Sequence, residues 1–170
     1  MQRERWELMS DSDIGGSSEC SLDYMPTVSA DEDESGTAVF KGNVSLATSG
    51  KMTKSGYCAA RLALPPRSQD LGEYAGLAMR LKTDGRMYIV NIQCDTWFED
   101  DLYQGFIVCP PNEWVTVELP FEDFLLTAAG YIRTEQRALE PSQISTISIC
   151  VGTIDRLEGP FEIQCQWIKV

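Results

Sequence analysis

At 170 residues, with 43% apolar and 9% aromatic side chains, the chain has the length and composition of one globular domain with its own core. A net charge of −12 and a pI near 4.3 repel phosphate backbones and anionic lipid, which argues against nucleic-acid or membrane-surface binding. There is no histidine, so Ser-His-Asp and Cys-His nucleophiles, histidine-ligated zinc and imidazole general bases are all excluded.

Read from the start, Met1 to Glu7 mixes Arg3 and Arg5 with Glu4 and Glu7 and has no apolar stretch of the kind a secretory leader needs. Ser10-Asp11-Ser12-Asp13-Ile14-Gly15-Gly16-Ser17-Ser18 then has the outward form of a ligand site. Counted from Asp11 as a calcium loop, however, position five is Gly15 and position twelve is Leu22, so two side-chain ligands are missing. No Gly-Lys-Ser/Thr follows the glycines, which removes the phosphate loop as well. The reading that remains is a tight turn in which Asp and Ser side chains cap backbone amides.

Beyond the turn, short runs of period-two alternation are separated by Gly, Pro, Asp and Ser. They fall near 19–24, 37–46, 57–64, 74–82, 86–94, 103–109, 113–119 and 144–151. Asp31-Glu32-Asp33-Glu34 interrupts the first two as a solvated acidic spacer. In the run around Tyr88, Val90, Ile92 and Cys94 the opposite face still carries Met87 and Ile89, which predicts a central strand buried on both sides. Asp84-Gly85, between two runs, predicts a hairpin turn. Residues 120–142, with Pro120 and Pro141 near the ends, predict a crossover loop with a helical turn. In the last run Phe161, Ile163, Cys165 and Trp167 alternate with Glu162, Gln164 and Gln166, which puts Trp167 on the core side. Nine to ten short strands in a single domain spanning 1–170 predict an all-β sandwich of jelly-roll type.

Chemistry-bearing clusters are sparse. Cys20, Cys58, Cys94, Cys109, Cys150 and Cys165 form no Cys-x-x-Cys pair, and most lie within strand-like runs, where a free thiol acts as a small core residue. Asn43-Val44-Ser45 is a formal glycosylation acceptor, which would matter only in a secreted chain. Asp95, Glu99, Asp100 and Asp101 supply carboxylates, but among 26 acidic residues such neighbours arise by composition alone and read as a charged loop. No catalytic residue, metal set or cofactor motif emerges. Thr96-Trp97-Phe98-Glu99-Asp100-Asp101-Leu102-Tyr103 sets three large rings among charges, a pattern that suits either a partner contact or a lid on the core.

The ordered blocks carry a resemblance. Trp6 with the Ser10–Ser18 turn is followed by Ala38-Val39-Phe40-Lys41-Gly42-Asn43-Val44-Ser45 and Ser55-Gly56-Tyr57-Cys58-Ala59. Asp84-Gly85-Arg86-Met87-Tyr88-Ile89-Val90-Asn91-Ile92, Trp114 with Leu119-Pro120-Phe121, and Gly159-Pro160-Phe161 with Trp167-Ile168 come next. Each block is weak alone, but the set resembles the complex I intermediate-associated protein family, assembly factors of mitochondrial NADH:ubiquinone oxidoreductase.

The resemblance implies a galactose-binding-like jelly roll and a non-enzymatic scaffold or chaperone role without a cofactor, in the mitochondrial matrix or on the matrix face of the inner membrane. It implies as partners an acyl-CoA-dehydrogenase-related assembly factor, a signalling-adaptor-like assembly factor and membrane-arm subunits of complex I. Family members usually carry an N-terminal extension with a targeting sequence, whereas this chain begins almost at the Trp6 block. The expected contact residues are Trp97, Phe98 and Tyr103, with Arg86 as a charged anchor. The alternative is a carbohydrate- or small-ligand-binding module, with loop aromatics as sugar platforms and carboxylates for calcium.

Overall fold

The computed structural model describes residues 6–26, 36–47, 55–65, 69–96, 101–128, 131–152 and 154–170. Twelve strands occur among them: β1 (Trp6–Ser10), β2 (Glu19–Met25), β3 (Thr37–Val44), β4 (Cys58–Ala63), β5 (Gly76–Thr83) and β6 (Tyr88–Cys94), then β7 (Asp101–Ile107), β8 (Trp114–Pro120), β9 (Leu125–Ala128), β10 (Tyr131–Ile132), β11 (Ile144–Val151) and β12 (Gly159–Lys169). They make a seven-stranded sheet, β1-β4-β11-β6-β7-β9-β10, and a five-stranded sheet, β2-β3-β12-β5-β8. The ladders between these strands are antiparallel, for example β11 with β6 and β12 with β3.

Period-two alternation fills the space between the sheets. Leu77, Met79 and Leu81 of β5 face Tyr88, Val90 and Ile92 of β6 across a core in which Phe40 and Phe161 meet edge to face at 5.0 Å. Strand β6 holds the middle of the seven-stranded sheet, as its two apolar faces predict. Its second face, through Ile89, forms a small apolar cluster with Ala59 and Cys150.

Four sequence expectations change. Strand β1 adds an edge beside β4, with Ser10 opposite Cys58; its half-exposed residues give no clean alternation from which to read it. The loop expected over 120–142 has its helical turn, a 3-10 turn at Phe121–Asp123, but it also holds the short strands β9 and β10, which raise the strand number above the nine to ten expected. Strand β9 pairs with β7 on one side and with the two-residue β10 on the other, and past the end of β10 Gln136 continues the pairing, taking the Leu126 N–H at 2.7 Å and donating to the Leu126 carbonyl at 2.9 Å.

The third change is Asp84-Gly85, which joins β5 to β6 across different sheets and so turns a corner instead of closing a hairpin. Gly85 takes φ +90° there, and the Asp84 carboxylate accepts the Arg86 N–H (3.0 Å), the Tyr88 hydroxyl (3.1 Å) and the Glu162 N–H (3.0 Å). The fourth is in β12, where the register against β5 shifts between Cys165 and Trp167. That irregularity at Gln166 reverses the side-chain alternation, so Ile168 opposes Met79 toward the core and Trp167 opposes Arg80 on the outside.

Candidate contact surface

The Ser10–Ser18 turn is built as a knot. Ser10 caps a 3-10 turn over Asp11–Ile14, its hydroxyl accepting the Ser12 N–H and its own N–H donating to Asp13, both at 3.2 Å. Asp11 points inward and is fully buried. Its carboxylate accepts the Ser18 N–H at 2.8 Å, the Ser18 hydroxyl at 3.0 Å and the Gly56 N–H. One side chain therefore ties the end of β1 to the approaches of β2 and β4. A Cβ at Gly16 would fall 2.3 Å from the Asp11 carboxyl carbon, which accounts for a glycine at that position. With its oxygens committed to main chain and hydroxyl, Asp11 is a structural hub.

Of the expected contact residues, Trp97 and Phe98 lie outside the described residues. Tyr103 is 7% exposed, paired with Ile92 on the core face of β7, and its hydroxyl donates to the Ala138 carbonyl at 3.1 Å. Burial pushes the Tyr103 phenol above its ordinary value. Arg86 also works internally: its guanidinium pairs with Asp155 at 3.4 Å and donates to the carbonyls of Leu157, Gly159 and Pro160, clamping the approach to β12. The Tyr103 hydroxyl and both terminal guanidinium nitrogens of Arg86 are thus engaged inside the domain, while Arg86 Nε is buried without a hydrogen-bond partner among the described residues. Asp101 does not belong to a solvated loop either; it opens β7, is 5% exposed, and is flanked by Arg133 (3.0 Å) and Arg137 (2.7 Å).

The outer face of the five-stranded sheet has a different character. Register sets Gln164 of β12, Lys82 of β5 and Trp114 of β8 in one row, and Trp167, Arg80 and Thr116 in the next. The Lys82 ammonium lies 5.4 Å from the Trp114 ring centroid, and the Lys169 ammonium 4.8 Å from that of Trp167. Arg80 donates to the Thr116 hydroxyl at 3.3 Å and keeps further guanidinium N–H groups available. Both tryptophans are half-buried, with ring area left at the surface. Toward the other edge, Lys41 pairs with Asp23 at 3.1 Å, both well exposed. A shallow groove of about 630 Å³ opens beside Lys41, Asn43, Asp84 and Glu162.

In a chain of net charge −12, this face gathers Arg80, Lys82 and Lys169 around two indoles. Trp114 and Trp167 were legible in the sequence as fold markers, but Trp167 reads as core until the irregularity at Gln166 is known. No group of three or more Cys, Asp or Glu side chains with metal-binding geometry occurs among the described residues. No described helix is long and apolar enough to cross a membrane.

By its architecture the chain is an all-β jelly-roll sandwich. Its shape matches the family 11 carbohydrate-binding module from Clostridium thermocellum, solved with a β-1,3-1,4-mixed-linked tetrasaccharide, at TM-score 0.60 and 15% identity, over 95% of this chain and 88% of that one. The solution structure of the same type of module matches at TM-score 0.63 and 16% identity, over 96% and 86% of the two chains. Likeness at that identity defines the fold alone.

Sequence comparison defines the family: residues 1–165 match the model for Complex I intermediate-associated protein 30, and the chain belongs to that family. It is 33% identical to the mitochondrial Complex I intermediate-associated protein 30 of Neurospora crassa, over 92% of this chain and 65% of that protein. Against the mouse protein of the same name it is 29% identical, over 98% of this chain and 52% of the relative. The chain therefore spans between about half and two thirds of the length of these relatives.

Proposed function

We propose that the protein takes part in the assembly of mitochondrial respiratory complex I as a non-catalytic scaffold, through protein–protein contacts made by the outer face of the five-stranded sheet. Family membership over residues 1–165 carries the assembly role. Relatives named for complex I intermediates and for mitochondria support both the process and the compartment, with the matrix or the matrix face of the inner membrane as the proposed site. The partners we propose are other assembly factors, among them an acyl-CoA-dehydrogenase-related protein and a signalling-adaptor-like protein, together with membrane-arm subunits.

The Trp114/Trp167 face supports a contact in which apolar or aromatic side chains of the partner cover the indoles and carboxylates reach Arg80, Lys82 and Lys169. Trp97 and Phe98 are proposed as a second, smaller contact. The test is capture of the tagged protein from gently solubilised mitochondria of its host, followed by mass spectrometry. Recovery of complex I subunits and assembly factors is the expected result; their absence from a clean capture overturns the reading.

A second reading rests on the same two indoles. Rings on an open sheet face also stack on sugars, and the fold is shared with a module solved with a tetrasaccharide. Calorimetric titration with that mixed-linked tetrasaccharide and with calcium discriminates: heat at micromolar ligand favours the module reading, and silence at millimolar ligand removes it.

A further inference from the structure

Cys20 and Cys58 are 38 positions apart in sequence and belong to different sheets, yet the fold brings them together. Cys20 lies near the start of β2, the outermost strand of the five-stranded sheet. Cys58 opens β4, opposite Ser10 of β1, in the seven-stranded one. The Cys58 sulfur lies 3.6 Å from the carbonyl oxygen of Glu19, the neighbour of Cys20. The Cys20 sulfur lies 3.8 Å from the carbonyl oxygen of Met9, next to the residue paired with Cys58. Each thiol is also the largest influence on the protonation of the other. Each sulfur thus reaches across the gap between the sheets to backbone beside the other cysteine, which places the two thiols together at one edge of the sandwich.

We propose that Cys20 and Cys58 are a reversible disulfide-forming site that staples the two sheets at this edge, closed by exchange with a low-molecular-weight disulfide such as glutathione disulfide. The two sulfurs have unequal roles. Cys20 is partly exposed, and the neighbouring Cys58 thiol holds its pKa below that of an ordinary thiol, against opposing burial and the charge of Asp13. Cys58 is fully buried and its pKa is raised, first by the neighbouring Cys20 thiol and then by burial.

The Cys20 thiolate attacks one sulfur of glutathione disulfide. The S–S bond breaks, one glutathione thiolate leaves, and glutathione stays on Cys20 as a mixed disulfide. The Cys58 thiolate then attacks the Cys20 sulfur and expels the second glutathione. Two protein thiols are oxidised to one disulfide, glutathione disulfide is reduced to two glutathiones, and the two thiol protons pass to the departing thiolates. A cross-link between distant segments narrows the unfolded ensemble, so the oxidised form melts higher by roughly 10 °C.

The experiment incubates the reduced full chain with glutathione disulfide, alkylates the remaining thiols, and maps the peptides by mass spectrometry alongside thermal melts. The expected result is four alkylated cysteines, a Cys20–Cys58 cross-linked peptide and a higher midpoint reversed by dithiothreitol. Cys58→Ser is expected to trap glutathione on Cys20, and Cys20→Ser to leave Cys58 unreacted; both keep small side chains, and their own melts verify folding. Six alkylated cysteines overturn the proposal, as does glutathione retained on Cys20 of the unsubstituted chain, or a disulfide joining any other pair.

Discussion

The Asp11 knot and the outer face of the five-stranded sheet both concentrate polar side chains, but they dispose of them in opposite ways. Asp11 is fully buried and its carboxylate is taken up by Ser18 and Gly56, so nothing is left for a ligand. On the sheet face, Arg80 makes one hydrogen bond to Thr116, while Lys82 and Lys169 rest over half-exposed indoles. The contrast teaches that a motif with the outward form of a site can be the most structural part of a molecule. A surface suited to contact can instead be spread over three strands with no motif at all.

That contrast can be broken most forcefully at the knot. Asp11→Ala leaves the Ser18 N–H, the Ser18 hydroxyl and the Gly56 N–H without their buried acceptor, and is expected to cost on the order of 3–5 kcal/mol in urea unfolding. A loss below about 1 kcal/mol would show that the knot is not the hub described. Arg86→Ala comes next. It strips Asp155 and the carbonyls of Leu157, Gly159 and Pro160 of their shared donor, for an expected loss of roughly 2–3 kcal/mol by the same assay.

A third test uses pH. Burial pushes the Cys165 thiol up to about 12 from 9.0, and burial together with Asp84 raises the Tyr88 phenol. Both groups hold their protons more tightly folded than unfolded. Their contribution is therefore complete below the unfolded values and is lost as pH rises past them. Stability should fall from about pH 9 upward, each group adding a slope that approaches ~1.4 kcal/mol per pH unit where only the unfolded state has ionised. Cys165→Ala and Tyr88→Phe should each flatten the alkaline limb in urea midpoints taken across that range. An unchanged limb would contradict the burial argument. The smallest effect on stability belongs to the sheet face: Trp167→Ala is expected to cost within about 1 kcal/mol. A large loss would make Trp167 a structural residue and remove it from the contact surface.

Much of the architecture was legible because alternation reports burial directly. The spacing of Tyr88, Val90 and Ile92 against Met87 and Ile89 gives both the strand β6 and its central place, and Ile144–Val151 falls where its pattern predicts. What escaped was whatever depends on partners distant in sequence. Strand β9 needs β7 and Gln136 beside it, β1 needs β4, and Asp84-Gly85 has the composition of a hairpin whether its flanking strands share a sheet or not. The sheet face escaped for a local reason of the same kind. One irregularity at Gln166 transfers Trp167 from the core side to the surface, and period-two reading carries no signal for it. Tyr103 looked like a loop aromatic because it follows Trp97 and Phe98, yet its pairing with Ile92 turns the ring inward.

The most direct test of the account compares capture by the unsubstituted protein with capture by Arg80→Glu/Lys82→Glu, each tagged and expressed at equal levels in mitochondria of the host, after the melts are shown to coincide. The account predicts that complex I subunits and assembly factors accompany the unsubstituted protein and fall at least tenfold with the reversed charges. Equal recovery by both would contradict the assignment of this face, and recovery by neither would contradict the assembly role itself.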